Sequence, residues 1–131
     1  MISQMTPLIK NLYAESIESK NEFKRSKLTV YHNNAYHFIS LSDISFLEAD
    51  GNYTSIHLFD GETLVASKTL KSLFQSVSYA SFIKVHAKYI INLNFIERLY
   101  RENGNTIIDV NGYSLPVSRS HLSKLKTTLN V

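Results

Sequence analysis

From Lys27 onward, apolar and polar residues alternate with a period of two, a pattern typical of β-strands with one buried face. The first two runs, residues 28–32 and 35–39, flank Asn33 and Asn34, and asparagine tolerates the positive φ angles of a tight hairpin turn. Further turns are indicated at Asp60-Gly61, Asn103-Gly104 and Asn111-Gly112. The pattern predicts about nine short strands that pair mainly as antiparallel hairpins.

Two short helices interrupt the strands. Residues 69–77 and the segment after Ser118 repeat their apolar residues at helical spacing, and we expect Ser118 or Ser120 to cap the second helix. Their apolar faces are formed by Leu70, Leu73, Phe74 and Val77, and by Leu122, Leu125 and Leu129. Residues 41–44 fit a connector of one helical turn. The sequence therefore predicts a mainly β fold of small antiparallel sheets of short strands, with two short helices.

An amphipathic helix is predicted near the N-terminus. Thr6 followed by Pro7 is a typical helix start, because a hydroxyl caps the first turn and proline suits the first helical position. The apolar stripe of this helix consists of Leu8, Ile9, Leu12, Tyr13 and Ile17. We expect the helix and a polar linker to occupy residues 1–26 and one domain to occupy residues 27–131. Two interpretations of the stripe stay open: it packs on the domain's own core, or it mediates dimerisation or coupling between domains.

Composition narrows the chemistry. The chain has no cysteine, which excludes disulfides, thiol catalysis and cysteine-bound zinc. No apolar run approaches the ~18 residues of a membrane span, and the N-terminus lacks the basic start and apolar block of a signal peptide. We therefore expect a cytoplasmic protein that has no membrane partner. Although Asp43, His86, Ser118 and His121 are residue types used in catalysis, no catalytic or metal-binding motif surrounds them, so we expect no enzyme activity, metal or cofactor.

Positive charge is concentrated in the C-terminal part of the chain. The formal net charge is +3; residues 1–80 contain seven Lys/Arg and eight Asp/Glu, whereas residues 81–131 contain seven and three. Lys84, His86 and Lys88 alternate with other residues, so one continuous strand would present all three on one face. A basic ridge of this kind on a β scaffold indicates an anionic partner such as nucleic acid.

Four segments resemble the LytTR-type DNA-binding domain, the output domain of many bacterial response regulators. They are DISFLEADGNY at residues 43–53, KTLKSL at 68–73, FIKVHAKYIINL at 82–93 and LPVSR at 115–119. Each segment is short, but the four occur in the family's order and at similar distances. The resemblance extends over residues 27–129, nearly the whole chain after the first helix.

The resemblance implies a β fold that reads double-stranded DNA through loops rather than through a recognition helix. The residues that would face DNA are Asn52 and Tyr53, then Lys84, His86 and Lys88, then Ser118, Arg119 and Ser120. Arg119 suits bidentate contact with guanine, and Asn52 suits a base edge. The lysines and the start of the last helix suit phosphates. His86 is expected either to contact DNA or to hydrogen-bond structurally.

One position departs from the family pattern, which commonly has Arg-Ser where this chain has Ala87-Lys88. Ala87 cannot hydrogen-bond a base, so we expect weaker readout at that loop or an apolar contact with a thymine methyl group. No receiver domain is recognisable before residue 27, so we expect either a longer regulator or a receiver domain or sensor that acts in trans. Dimerisation is expected through the first helix or on paired DNA sites. The alternative function is a non-enzymatic β module whose basic face binds an acidic protein partner.

Overall fold

The computed structural model describes residues 6–77 and 80–131, so residues 1–5 of the predicted N-terminal segment lie outside the described part. The helices are α1 Pro7–Ser26, α2 Leu70–Val77 and α3 Arg119–Leu129. The strands are β1 Lys27–His32, β2 Ala35–Ser40, β3 Ile44–Asp50, β4 Tyr53–Leu58, β5 Thr63–Ala66, β6 Phe82–His86, β7 Tyr89–Asn92, β8 Ile96–Glu102, β9 Asn105–Val110 and β10 Tyr113–Val117. Single 3-10 turns occur at Leu41–Asp43, as the connector predicts, and at Leu93–Phe95.

The described strands form three antiparallel sheets. The central sheet has five strands in the order β5-β4-β3-β7-β6, and it is accompanied by the β1–β2 hairpin and the three-stranded sheet β10-β9-β8. Asn33 and Asn34 have φ angles of 50° and 60°, which confirms the predicted hairpin turn. The prediction of a mainly β fold of small antiparallel sheets is confirmed. The described part contains ten strands rather than about nine, since residues 82–92 fold into a hairpin.

The central sheet is buried on both faces. One face packs against the β1–β2 hairpin and α2, and the core between them contains Leu47 and Ile90. The other face packs against the three-stranded sheet and α3, and this second core contains Phe46 and Ile91. Neighbouring residues such as Ile90 and Ile91 point to opposite cores because successive side chains of a strand alternate between its faces. With both faces covered, a partner has to meet the turns and edges of this sheet.

Helix α1 is longer than predicted. Thr6 Oγ1 accepts a hydrogen bond from Ile9 N at 3.2 Å, which confirms the predicted cap. The helix then continues to Ser26, so the prediction of a linker was wrong. The last turns are anchored because the ring of Phe23 meets the ring of Phe38 on β2, with centroids 5.9 Å apart.

The apolar stripe of α1 does not pack on the domain's own core. Leu8 and Leu12 are 68% and 57% exposed, and the other three stripe residues are at least 40% exposed. The interpretation of the stripe as a docking face for the core is therefore wrong, and its apolar side chains face solvent. Among the helices in the described ranges, none combines the length and apolar character needed to cross a bilayer.

Candidate nucleic-acid interface

Two hairpin turns lie at the same end of the central sheet. Asn52 lies in the turn between β3 and β4, and Lys88 lies in the turn between β6 and β7. Strands β3 and β7 pair with Glu48 opposite Tyr89, and Ala49 N donates a hydrogen bond to Lys88 O at 2.8 Å. The second turn therefore begins beside the first. With a strand spacing of about 4.8 Å, the centres of the two turns lie on the order of 10 Å apart.

The start of α3 is fastened to the same region. Ser118 N donates a hydrogen bond to Val85 O of β6 at 2.9 Å, so the junction between β10 and α3 lies beside the end of β6. Helix α3 begins at Arg119, as predicted, and its Leu125 is fully buried in the second core. One main-chain hydrogen bond and one buried helix face thus hold the first residues of α3 near the β6–β7 turn.

The prediction that Lys84, His86 and Lys88 form a row along one strand was wrong. Strand β6 ends at His86, a register shift separates Lys84 from His86, and Ala87 and Lys88 form the turn. The reason is local: His86 Nδ1 accepts a hydrogen bond from Lys88 N at 3.1 Å, and such side-chain bonds to the backbone compete with strand pairing. Lys84 and His86 are consequently half-buried on β6, whereas Lys88 is exposed at the tip.

Most of the predicted site residues have side chains that are open to an external partner. Within the described part of the chain, no side-chain hydrogen bond is made by Asn52, Tyr53, Lys84, Lys88 or Arg119. Tyr53 is 53% exposed beside its turn, and Arg119 is exposed on the first turn of α3. The three remaining residues, His86, Ser118 and Ser120, hydrogen-bond locally.

The hydroxyls at the start of α3 bind an imidazole rather than the helix backbone. Ser118 Oγ and Ser120 Oγ both lie within hydrogen-bond distance of His121 Nδ1, the second at 3.2 Å. Ser118 occupies the N-cap position, as predicted. However, its side chain makes no hydrogen bond to the backbone of the helix, so it does not act as the predicted cap. The first amide groups of α3 therefore lack a side-chain cap and suit an anion.

His121 belongs to a cationic cluster that the sequence did not reveal. Partial burial, and then the positive charges of Lys84, His86 and Lys124, lower the pKa of His121. A phosphate bound among these residues would act in the opposite direction, because a negative charge favours the protonated imidazole. Lys124 lies four residues after Ser120 and therefore on the same face of α3. Helical spacing from Ser120, a predicted site residue, could thus have identified Lys124 from the sequence.

A network of polar and aromatic side chains lies behind the turns. Glu48 Oε1 pairs with His57 Nε2 at 3.0 Å, and the hydroxyl of Tyr89 donates to Glu48 Oε2 at 3.2 Å. Burial, followed by the charge of Glu48, raises the pKa of Tyr89. His57 stacks on Phe46 with ring centroids 4.0 Å apart, and the ring of Tyr89 lies 5.7 Å from that of His86. The network therefore joins the β3–β4 and β6–β7 hairpins just below their turns.

We call residues 51–53, 84–88 and 118–124 together the sheet-end surface. It presents the fixed charges of Lys88 and Arg119, the amide of Asn52, which both donates and accepts, and the ring and hydroxyl of Tyr53. Across residues 6–77 and 80–131, no group of three or more His, Cys, Asp or Glu side chains is placed to hold a metal ion. Hydrogen-bond donors and positive charge are the means by which proteins contact phosphates and base edges.

Comparison with known families agrees with this fold. The family model described as the LytTr DNA-binding domain matches residues 34–130. The chain therefore belongs to the LytTr DNA-binding domain family, and the resemblance seen in its four segments is confirmed. A solved LytTr DNA-binding domain from Bacillus cereus has the same fold, with a TM-score of 0.69 and 24% identity over 82% of this chain and 99% of that domain.

Curated relatives include a bacterial transcriptional regulator and a bacterial sensory transduction protein. The chain is 31% identical over 108 residues to the heme-containing CO-sensing transcriptional regulator RcoM 1 of Paraburkholderia xenovorans. The matched region covers 80% of this chain and 40% of that protein. It is 30% identical over 125 residues to the sensory transduction protein LytT of Bacillus cereus, covering 88% of this chain and 50% of LytT. The chain thus spans half the length of these relatives or less, and the similarity is to one part of each.

Proposed function

We propose that this chain binds double-stranded DNA in a sequence-specific manner through the sheet-end surface and acts as a transcriptional regulator in the bacterial cytoplasm. The observation that carries the proposal is that three segments distant in sequence converge at one end of the central sheet. Two of them are turns whose spacing, on the order of 10 Å, matches the ~12 Å width of the DNA major groove. Membership of the LytTr DNA-binding domain family supports the same partner.

Base readout is assigned to Arg119 and Asn52. Arg119 is exposed on a helix turn that a main-chain hydrogen bond holds in place, so its planar guanidinium is available for a bidentate contact with guanine O6 and N7. Asn52 is exposed in the β3–β4 turn and offers a donor and an acceptor to a base edge. Ala87 has no polar side-chain group, so the β6–β7 turn contributes charge from Lys88 and an apolar contact rather than a base hydrogen bond.

Phosphate contacts are assigned to the remaining residues of the sheet-end surface. Lys84 and Lys88 supply point charges, and the uncapped amides of α3 near Ser118 and Ser120 supply donors. Tyr53 supplies a hydroxyl for phosphate and a ring for packing on sugar. The imidazole of His86 already accepts a hydrogen bond from Lys88 N, so we assign it to shaping the turn, with its other ring nitrogen directed to DNA.

The first test is selection of duplexes from a random library at about 150 mM salt, followed by titration of the enriched site against a scrambled duplex. We expect an enriched motif that the chain binds at least ~10³-fold more tightly than the scrambled duplex, since specific DNA-binding proteins discriminate between specific and nonspecific sites to this degree. If no motif is enriched and binding is lost at this salt, the chain is a nonspecific phosphate binder at most. The alternative, a β module whose basic face binds an acidic protein, then becomes the leading function.

Two substitutions separate base readout from phosphate contact. Arg119→Ala should lower the preference for the selected site over the scrambled duplex by ~1–3 kcal/mol. Lys84→Ala should weaken binding to all duplexes alike and make the dependence of affinity on salt shallower. Lys126→Ala, which removes a positive charge two turns along the same helix as Arg119, is the matched control. Equal effects of the three substitutions would contradict these assignments.

We also propose that the exposed stripe of α1 is a self-association surface through which two copies meet paired DNA sites. Leu8, Leu12 and Tyr13 are each at least 44% exposed, and an exposed apolar stripe on a helix is stabilised when a second apolar surface covers it. Sedimentation should show fewer chains per particle for a chain that lacks residues 1–24 than for the intact chain. The same number of chains per particle in both would exclude self-association through α1 and favour a receiver domain or sensor, acting in trans, as the partner of this stripe.

A further inference from the structure

A cationic cleft of about 310 Å³ lies where the C-terminal end of α1 meets β1 and α2. It is lined by Phe23, Lys24, Lys27, Leu28, Thr29, Lys68 and Ser76. Three of these seven side chains carry a positive charge and none carries a negative one. The volume lies at the lower end of the ~300–1,000 Å³ that is typical of ligand sites. We call this feature the α1 cleft.

The charges in the α1 cleft favour an anion. Lysines that line one concave site repel one another, and a negative charge placed among them removes this repulsion. The side chain of Lys27 is half-buried, and its Nζ donates to Ser40 Oγ at 2.7 Å, a neutral acceptor that holds the ammonium without offsetting its charge. Thr29 and Ser76 add hydroxyl groups to the lining. Lysine and hydroxyl donors together are the groups that commonly contact phosphate oxygens.

The α1 cleft is connected to the end of the sheet that carries the sheet-end surface. Lys68 follows β5, and its carbonyl accepts a hydrogen bond from Thr54 Oγ1 at 2.8 Å. Thr54 directly follows Tyr53 of the β3–β4 turn and pairs with Ala66 on β5. The C-terminal end of β5 therefore lies at the same end of the central sheet as the two turns, but at the opposite edge from β6.

We infer that the α1 cleft is a phosphate-binding site in which Lys27 and Lys68 hold the phosphate group and the ring of Phe23 forms one wall. The phosphate belongs either to DNA backbone that extends past the specific site or to a free phosphorylated small molecule. The DNA source rests on the proposed function, because it needs a duplex bound at the sheet-end surface. The free phosphate source does not depend on it.

Titration with inorganic phosphate at constant ionic strength, followed through the backbone amide resonances of the full chain, tests the free source. We expect saturable shifts at Lys27, Thr29, Lys68 and Ser76. The double variant K27Q/K68Q should bind phosphate about tenfold more weakly or worse, because each lost charged hydrogen bond weakens binding severalfold or more. K20Q/K71Q is the matched control, since it removes two exposed lysines of α1 and α2 outside the cleft. K27R/K68R should retain binding.

Two duplexes with the same central site, one longer by about one helical turn on each side, test the DNA source. If the cleft holds backbone phosphates, K27Q/K68Q should lose affinity for the longer duplex and not for the shorter one. The slope of log affinity against log salt should then become shallower by about 2, as expected for two phosphate contacts. K20Q/K71Q should behave as the unmodified chain on both duplexes.

The inference is overturned if K27Q/K68Q and K20Q/K71Q are indistinguishable both in phosphate titration and on the longer duplex. Thermal unfolding of both double variants shows whether each is folded, and K27R/K68R separates loss of charge from loss of the lysine stem. If the unmodified chain fails to bind the shorter duplex, the proposed function fails. The phosphate titration still tests the α1 cleft in that case.

Discussion

The sheet-end surface and α1 are opposites in construction. The sheet-end surface consists of polar tips carried by buried hairpins, and main-chain hydrogen bonds from Ala49 to Lys88 and from Ser118 to Val85 hold its segments together. Helix α1 presents apolar side chains to solvent and is anchored mainly at its C-terminal end, through Phe23. The sheet-end surface is held in place by contacts inside the domain, whereas the apolar face of α1 is not covered by any of the described residues.

This difference corresponds to the two proposed kinds of recognition. Main-chain hydrogen bonds hold the backbone segments of the sheet-end surface in place, so binding of a duplex would require ordering of side chains but not of the fold. An exposed helix face contributes little until another apolar surface covers it, and its energy then comes from removal of apolar area from water. We therefore expect changes behind the sheet-end surface to alter stability and DNA binding together, and changes on the apolar stripe of α1 to alter self-association rather than the stability of the domain.

The largest expected effect comes from truncating the core behind the sheet-end surface. Phe46 is 1% exposed and stacks on His57, so Phe46→Ala should lower the free energy of unfolding by ~3–5 kcal/mol, the usual cost of removing a buried phenyl ring. Leu12→Ala on α1, where the side chain is 57% exposed, should change it by ~0.5 kcal/mol or less. Urea unfolding measures both. Similar losses would contradict the contrast between the two regions.

Much of the fold could be predicted because its signals are local. Alternating residues, Asn-Gly turns and a proline after Thr6 each act within a few positions, and the hairpins and helices they predict are present. The pairing of β3 with β7 could not be predicted in the same way, because Glu48 and Tyr89 are far apart in sequence and no local pattern records their contact. The same holds for the extent of α1, whose last turns depend on Phe38 of β2.

The segments of the candidate site could be predicted better than their geometry. The family motifs mark the segments that contain Asn52, Lys88 and Arg119, and the structure brings these segments to one end of the sheet. Their contact with DNA stays a prediction. The expected basic row failed because His86 bonds to Lys88 N and ends the strand, which alternation alone cannot reveal. His121 was missed as a member of the cluster because its charged neighbours belong to β6 as well as to α3.

The hydrogen bond that connects α3 to β6 can be broken by proline. The φ of Ser118, −75°, suits proline, but Ser118→Pro replaces the N–H donor with a ring carbon that meets Val85 O, so the junction between β10 and α3 has to move away from β6. We expect a loss of ~3 kcal/mol in the free energy of unfolding, because the bond is lost and the junction is displaced, together with a loss of affinity for the selected duplex. Ser118→Ala keeps the N–H and is the control. If proline and alanine behave alike in anisotropy titrations, this bond does not position Arg119.

A smaller effect is expected from the hydrogen bond between the two hairpins. Tyr89→Phe removes the hydroxyl that donates to Glu48 and should lower stability by ~1 kcal/mol. Tyr113→Phe is a matched control, because its ring packs on Phe46 at 5.0 Å and its hydroxyl makes no hydrogen bond to a described residue. In the unmodified chain, one tyrosine should titrate above the usual range, since burial and Glu48 raise the pKa of Tyr89. Loss of that late phase from Tyr113→Phe rather than from Tyr89→Phe would contradict the assignment.

The smallest expected effect is a pH dependence that arises from His121. Its pKa is lowered in the folded chain, so on acidification through about pH 6.5 the unfolded state takes up a proton that the folded state resists, and this imidazole costs stability. DNA phosphate favours the protonated form, so binding should take up a proton and affinity should rise as the pH falls from about 7.5 to 5.5.

His121→Gln should reduce this rise by a few-fold when affinity is measured at constant ionic strength. His37→Gln is the control, because His37 lies on the β1–β2 hairpin, where its Nε2 contacts His32 O. Lys84, His86 and Lys124 face the same imidazole and are unchanged in both variants. If affinity depends on pH in the same way for His121→Gln and the unmodified chain, no phosphate lies near this imidazole. The DNA contact would then have to lie closer to the β3–β4 turn than to the start of α3.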